Sequence, residues 1–277
     1  TLQFHDIIPG SSIQVVYRET HAAHARLLAA CDGLEARFAS AHLAPEAGAV
    51  TWFNSLNQPW VGAVTLPDTF AGRGAQLADG TPLPTQVEDG ASVALLTVPA
   101  QGWITVLPAG QPAKPPAATT TTLENELVRF TFAADGTLIS AFEKTIGHEL
   151  LAAPGNRLSL YHDRPCAWDA WDIDRFYKQE HIADARFTVE PLEAGSVRSR
   201  LRLRAQLGAS TITQVVTLAA GSRRLDFRTT VSWHEQHRML RVAFPAQVAT
   251  ERVACEIQFG HLFRATHENT SWDMAKF

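Results

Sequence analysis

The chain has 277 residues, which is enough for one large domain or two to three small ones with a substantial core. Hydrophobic residues make up 45% and charged residues 19%, and 24 basic against 28 acidic side chains give a net charge of −4, which argues against a nucleic-acid partner. No apolar run approaches the roughly 18 residues of a membrane-spanning helix, so we expect no membrane partner either.

The cysteines indicate the compartment. Cys31, Cys166 and Cys255 are an odd number at wide spacings, far below the density of a disulfide scaffold. The segment TLQFHDIIPG lacks the basic and apolar regions of a signal peptide, although a signal could belong to a longer parent. These features favour a cytoplasmic location over secretion.

The first 42 residues predict a helical segment. Ser11 and Gln14 fit a capping box, and Pro9-Gly10 precedes it. Apolar residues then recur at steps of three and four, which is typical of one helix face that needs a partner surface. These residues include Ile13, Val16, Tyr17, Leu27, Leu28, Cys31, Leu34 and Phe38.

The remaining chain predicts strands. Residues 45–108 form a small β domain with strands at 50–54, 62–66, 94–98 and 103–107, and the proline- and threonine-rich residues 109–122 form a linker. Asp135-Gly136 then predicts a hairpin, and alternating apolar and polar residues predict antiparallel strands. Those later strands cover 127–133, 137–142, 157–161, 186–190, 197–206, 211–218, 225–233, 239–244 and 253–259.

Two segments carry side chains suited to a site. His5-Asp6 lies just ahead of the helix, where a histidine can ligate metal and an aspartate can ligate or accept hydrogen bonds from sugar hydroxyls. By themselves the two residues fit a local cap and a surface histidine better. The segment WDAWDID at 168–174 combines two indoles with three carboxylates, which suits sugar recognition. Its alternative is a turn whose tryptophans fill a seam between domains.

A third segment, from Gln258 to Trp272, is dense in polar groups and predicts a loop that faces a polar cavity. The sequence contains no P-loop, GxGxxG or GxSxG motif and no zinc-ligand array at regular spacing. Nucleotide, dinucleotide and serine-hydrolase functions therefore have no support.

The chain resembles glycoside hydrolase family 38, the zinc-dependent retaining α-mannosidases. The resemblance depends on five sequence segments that occur in the family's order and together extend over nearly the whole chain. They are QFHDIIPGSSI at 3–13, LENELVRFTFAADGTL at 123–138, WDAWDID at 168–174, AGSRRLDF at 220–227, and EIQFGH with THENTSWD at 256–273.

The resemblance implies a mainly β fold in which a helical segment (1–42), from the end of the family's helical bundle, precedes a small β domain. The second β domain, 123–277, would be a mutarotase-like β-supersandwich that is truncated at the C-terminus. The nucleophile and the other zinc ligands would lie in an N-terminal catalytic domain that this chain lacks. We therefore expect no catalytic residue here and no activity from the isolated chain.

The resemblance also implies residue roles and partners. His5 would ligate zinc, and Asp6 would contact mannose. Trp168, Asp169, Trp171 and Asp172 would contact the substrate, a mannose-containing oligosaccharide whose terminal α-linked mannose is hydrolysed with retention. The zinc would be held in the parent protein and not by this chain alone. Further expected partners are the missing catalytic domain and, through the uncovered helix face, a second copy of the chain. The alternatives are a stand-alone carbohydrate-binding module and a structural scaffold without catalysis.

Overall fold

A computed structural model describes residues 6–7, 10–42, 48–111, 121–168, 172–257, 259–270 and 273. The fold is mostly β, with one α-helix in these ranges and several antiparallel sheets, so the predicted fold class is confirmed. No helix in the described ranges is long and apolar enough to span a membrane. The predicted linker falls mainly on residues 112–120, which lie outside the described residues.

Helix α1 spans Gln14–His42. It begins three residues after Ser11, whose hydroxyl donates to the Asp6 carboxylate over 3.4 Å, so the predicted capping box is wrong. The predicted apolar stripe is largely exposed: Leu27, Leu28, Leu34 and Phe38 are between 46% and 65% exposed. A contact between the rings of Phe38 and Phe53, 5.7 Å apart, joins the end of α1 to the first strand.

The small β unit, residues 50–109, consists of β1 (Val50–Asn54), β2 (Trp60–Thr65), β3 (Gly74–Leu77), β4 (Pro82–Leu83), β5 (Thr85–Glu88), β6 (Ala91–Val98) and β7 (Gly102–Ala109), with a 3₁₀ turn at Asp68–Phe70. Its sheets have the orders β1-β7-β3-β4 and β2-β6-β5. They enclose a core that includes Phe70, Leu96 and Val106. Strands β3, β4 and β5 had not been predicted from the sequence.

The large β unit, residues 122–265, consists of β8 (Thr122–Glu124), β9 (Val128–Phe132), β10 (Leu138–Glu143), β11 (His148–Glu149), β12 (Arg157–His162), β13 (His181–Asp184), β14 (Thr188–Ala194), β15 (Arg198–Leu207), β16 (Ser210–Ala219), β17 (Leu225–Ser232), β18 (Arg238–Ala243), β19 (Arg252–Ile257) and β20 (Gly260–Ala265), with a 3₁₀ turn at Tyr177–Gln179. Three sheets, β11-β10-β9-β8, β14-β15-β16-β17 and β13-β12-β18, pack around one core, and β19 pairs with β20.

A buried polar seam joins the two β units; it consists of Gln86, Glu88, Val197, Arg198 and Arg200. The Gln86 side chain accepts from the backbone amides of Val197 (2.9 Å) and Arg198 (3.1 Å) and donates to the Arg198 carbonyl (3.0 Å). Glu88, whose side chain is 3% exposed, pairs with Arg198 at 2.5 Å and Arg200 at 3.3 Å. Because buried charges are costly without partners, this pairing fixes how the units meet.

Candidate functional site

The N-terminal candidate is described at Asp6, whereas His5 lies outside the described residues. Asp6 has a φ of 61°, a left-handed conformation that aspartate tolerates better than most residues. In this conformation its carbonyl accepts from the amides of Ser11 (2.8 Å) and Ser12 (3.0 Å) and from the Tyr17 hydroxyl (3.1 Å). The described hydrogen bonds of Asp6 thus stay within its own segment, and none reaches WDAWDID.

The WDAWDID loop is described at both ends but not at its centre, because Asp169 and Trp171 lie outside the described residues. Trp168 is 76% exposed and has a φ of 64°, which is a strained conformation for a bulky side chain. Its carbonyl accepts from the amide of Asp172 over 3.0 Å. The loop therefore presents an indole to solvent on a constrained turn, and Asp172 is also exposed.

The base of the loop is anchored in the large β unit. Asp174 accepts from the Phe176 amide through its carboxylate (2.9 Å) and from the Tyr177 amide through its carbonyl (3.1 Å), which starts the 3₁₀ turn. Tyr177 is buried, with its ring edge-on to Tyr161 at 5.3 Å and the Arg241 guanidinium 5.2 Å from its centre. The exposed part of the loop thus extends from a rigid base.

A small polar pocket of about 160 Å³ lies beside this base, lined by His162, Asp163, Arg164, Asp174, Phe176, Tyr177 and Glu180. Arg238 contacts Nδ1 of His162 over 2.8 Å. A guanidinium can only donate, so Nδ1 accepts and the proton of the neutral imidazole sits on Nε2. The pocket therefore combines a histidine, carboxylate acceptors and an aromatic side chain, which is the chemistry that hydroxylated ligands require.

The third predicted segment is only partly a loop. Gly260–Ala265 is strand β20, so the prediction of a loop from Gln258 onwards is wrong for these residues. Beyond β20, the nearly buried Asp273 carboxylate accepts from the amide (2.8 Å) and hydroxyl (3.0 Å) of Thr270 and lies 3.3 Å from His267. These contacts tie Asp273 to Thr270 and His267.

The structure brings the second and third segments together. Lys178, just after the loop, pairs with Glu268 in the third segment. A cavity of about 340 Å³ lies between them, lined by Arg175, Phe176, Lys178, Gln179, Glu268, Asn269 and Thr270. Sequence reasoning missed Lys178 and Glu268 because they are 90 residues apart, and no local pattern signals such a pair.

His162 and Arg238 were also missed, because the sequence signals the strands but not how they pair. The sequence predicted both strands, at 157–161 and 239–244, but not their pairing. In the structure β12 and β18 are antiparallel and His162 lies opposite Arg238. Only the register, which the sequence does not specify alone, reveals this contact.

The predicted zinc site can be compared with the metal-ligating side chains that the structure describes. Within the part of the chain that the structure describes, no group of three or more His, Cys, Asp and Glu side chains could hold a metal ion. Asp6, the described neighbour of the predicted ligand, contacts the Ser11 hydroxyl. The described residues therefore do not form a zinc site, and further ligands would have to come from elsewhere.

Comparison with known proteins identifies the relatives. The family model described as "Glycosyl hydrolases family 38 C-terminal domain" matches residues 123–277. Human "Alpha-mannosidase 2C1" is 32% identical over 292 residues, covering 99% of this chain and 26% of the human protein. "Alpha-mannosidase G" of Dictyostelium discoideum is 31% identical over 163 residues, covering 56% of this chain and 15% of that protein. The chain spans about a quarter of the length of the human relative.

Solved structures support the fold. An α-mannosidase from Enterococcus faecalis V583 matches with a TM-score of 0.54 at 13% identity, covering 81% of this chain and 34% of that chain. A glycosyl hydrolase family 38 protein from Enterococcus faecalis matches with a TM-score of 0.57 at 15% identity, covering 78% of this chain and 35% of that chain. Since the family model matches more than half of the sequence, the chain belongs to glycoside hydrolase family 38.

Proposed function

We propose that this chain is the β-rich part of an α-mannosidase that hydrolyses terminal α-linked mannose with retention of configuration. The observation that carries the proposal is the match of relatives named α-mannosidase to 99% of this chain, including its N-terminal segment. The relatives are about four times longer, so the proposal assigns the nucleophile and the acid/base carboxyl to an N-terminal catalytic domain outside this chain. The isolated chain is then inactive.

In this proposal His5 contributes one zinc ligand and Asp6 contacts the bound sugar. Zinc would supply Lewis-acid chemistry, but it needs ligands from outside this chain. Asp6 is exposed, so its carboxylate is available to accept hydrogen bonds from sugar hydroxyls. Trp168, Asp169, Trp171 and Asp172 approach the same substrate, a mannose-containing oligosaccharide. The constrained backbone at Trp168 supports this role, because strained residues often occur at ligand sites.

The proposal extends to the protein's surroundings. We propose a cytoplasmic protein without nucleic-acid or membrane partners. The thiols of Cys31, Cys166 and Cys255, all free, support a reducing compartment. A homo-oligomer is the remaining proposed partner, supported by the exposed apolar face of α1.

The test uses the longer protein that contains this chain, assayed with an aryl α-mannoside. We expect hydrolysis in which NMR detects the α-anomer of mannose first. His5→Ala should abolish activity and release bound metal. Asp6→Asn should retain metal with reduced kcat/KM, because it loses a charge-assisted hydrogen bond. His148→Ala, at an exposed histidine in β11, is the matched control and should be unaffected.

Three results would each contradict a part of the proposal. Hydrolysis by the 277-residue chain alone would show that the nucleophile lies within it. Full activity of the longer His5→Ala protein would remove His5 from the metal site. Unchanged kinetics in Asp6→Asn would reduce Asp6 to its observed role, the turn that precedes α1.

A further inference from the structure

A cavity of about 620 Å³ lies between the two β units, and no described residue of the WDAWDID loop lines it. Its walls are the segment from Leu56 to Ala63 in the small β unit and, in the large β unit, the turn between β16 and β17. Ligand cavities typically measure about 300–1,000 Å³ and occur preferentially where domains meet. The size and position of this cavity are therefore those of a binding site for a small molecule.

Trp60 gives the cavity an aromatic wall. Its indole lies across Gly62, where a Cβ atom would approach the ring carbons within 2.4 Å. Trp60 packs partly against the core of the small β unit and also lines the cavity. The absence of a side chain at Gly62 is thus what lets the indole lie along the wall, and a flat indole suits the apolar face of a pyranose ring.

The opposite wall is a preorganised turn. The Asn125 side chain donates to the carbonyls of Ala219 (3.0 Å) and Ser222 (2.7 Å). The Ser222 hydroxyl oxygen accepts from the amide of Arg224 over 3.0 Å. This turn belongs to the AGSRRLDF segment at 220–227, which has no role in the proposed catalytic function. Because the backbone of this cavity wall is already fixed, ligand binding loses less conformational entropy there.

Three arginines line the cavity, and each already has a carboxylate partner. Arg198 pairs with Glu88 at 2.5 Å, Arg223 with Glu143 at 3.2 Å and Arg224 with Asp226 at 2.8 Å. This pairing matters because a neutralised guanidinium attracts an anion weakly while its other N–H groups still donate. Asp226 also lines the cavity and supplies an acceptor. This balance of donors, acceptors and one aromatic face fits a neutral polyhydroxylated ligand better than a phosphate.

We propose that the cavity between the β units binds a neutral oligosaccharide, with one sugar ring against Trp60 and its hydroxyls at the Arg224–Asp226 pair. The choice of mannose as the sugar depends on the proposed function, whereas the carbohydrate class depends on the cavity alone.

The 277-residue chain is itself suitable for the test, because hydrolysis is not required. We expect a titration with mannotriose to show saturable binding, monitored by calorimetry and by tryptophan fluorescence. Trp60→Ala should weaken binding about tenfold, since an aromatic contact contributes up to roughly that factor. Arg224→Ala should weaken it as well, and this side chain is 80% exposed, so its loss does not threaten folding.

Matched controls lie outside the cavity. Trp103→Ala removes an indole that is 57% exposed on β7, and Arg204→Ala removes an arginine that is 62% exposed on β15. Both should bind mannotriose as the unmodified chain does. Absence of binding, or equal binding by the Trp60 and Arg224 variants, would overturn the proposal. So would binding of inorganic phosphate without mannotriose. If cellotriose bound as tightly as mannotriose, the cavity would still be a carbohydrate site, but the choice of mannose as its sugar would be wrong. None of these results depends on catalysis by the longer protein.

Discussion

Asp135 shows how one carboxylate organises a hairpin. Its Oδ1 accepts from the amide (3.1 Å) and the hydroxyl (2.7 Å) of Thr137. The next residue, Gly136, has a φ of 81°, and a Cβ there would approach Phe187 within 2.6 Å. Glycine is therefore required twice, by the backbone conformation and by the packed side chain. The tight turn between β9 and β10 follows from these two residues.

The same contacts predict a pH dependence of stability. The hydrogen bonds from Thr137 lower the pKa of Asp135, and they outweigh the opposing effect of burial. A folded-state pKa below the unfolded one means that the ionised carboxylate stabilises the fold above about pH 4. That contribution is lost as the pH falls through the lowered pKa. We expect Asp135→Asn to lose less stability than the unmodified chain between neutral and acidic pH, measured by urea unfolding.

Thr137→Val provides the paired variant, since it removes the hydroxyl donor while keeping the shape of the side chain. Its stability should also vary less with pH. An unchanged pH profile in both variants would show that the turn carboxylate does not contribute through its ionised form.

Residue-scale features were predictable where the signal is local. Asp135-Gly136 was identified because a turn depends on adjacent residues. Gln86 and Arg198 were not identified, because their contact joins residues 112 positions apart. The roles of His5, Asp6, Trp168, Asp169, Trp171 and Asp172 all stay predictions, because no contact among the described residues tests them.

At the scale of elements, α1 was predictable from its periodicity. Its apolar stripe, which was expected to need a partner surface and to be left uncovered, is largely exposed in the structure. Exposed apolar patches commonly mark surfaces that another protein or another copy covers. The helix is thus an element whose sequence pattern has no complete partner among the described residues.

We therefore expect the chain to self-associate through α1. Leu28 and Leu34 are 65% and 62% exposed, and a double substitution to glutamate should shift light scattering towards the monomer because charge opposes burial of the stripe. Ile146→Glu, at an isoleucine that is 71% exposed in the large β unit, is the control and should leave the association unchanged. A monomer at high concentration before any substitution would contradict this expectation.

Some of the strands were predictable from the sequence and others were not. Long alternating strands such as β15 and β16 were predicted because the pattern repeats over ten residues. Short strands such as β4 and β13 were missed, since their stability comes from pairing with strands elsewhere in the chain. β20 was assigned to a loop because most of its residues are exposed, which hides the alternation.

At the scale of the molecule, the polar seam makes the two β units one body. Glu88 is held by two arginines, and removing one partner of a buried pair typically costs about 3 kcal/mol. A protease site inserted between residues 112 and 120 should therefore give two fragments that still elute together on size exclusion. The connection between the units would then depend on contacts and not on the chain between them.

Glu88→Gln should weaken the cleaved complex and lower the free energy of unfolding by about 3 kcal/mol. Glu190→Gln removes an acidic partner of Arg202 whose side chain is 48% exposed, and it should cost less than about 1 kcal/mol. Equal effects of the two substitutions, or separation of the fragments immediately after cleavage, would show that the seam contributes little.

The Gln86 amide in that seam recognises main chain. It accepts from two successive backbone amides and donates to a backbone carbonyl, so it occupies the place that a peptide group of a neighbouring strand would take. The side chain of the residue at position 197 takes no part in these hydrogen bonds, because only its backbone amide is contacted. A small β unit transplanted from a relative would accordingly dock if it kept both this glutamine and Glu88. Glutamate, although similar in size, would fail because a carboxylate has no proton to donate to the Arg198 carbonyl.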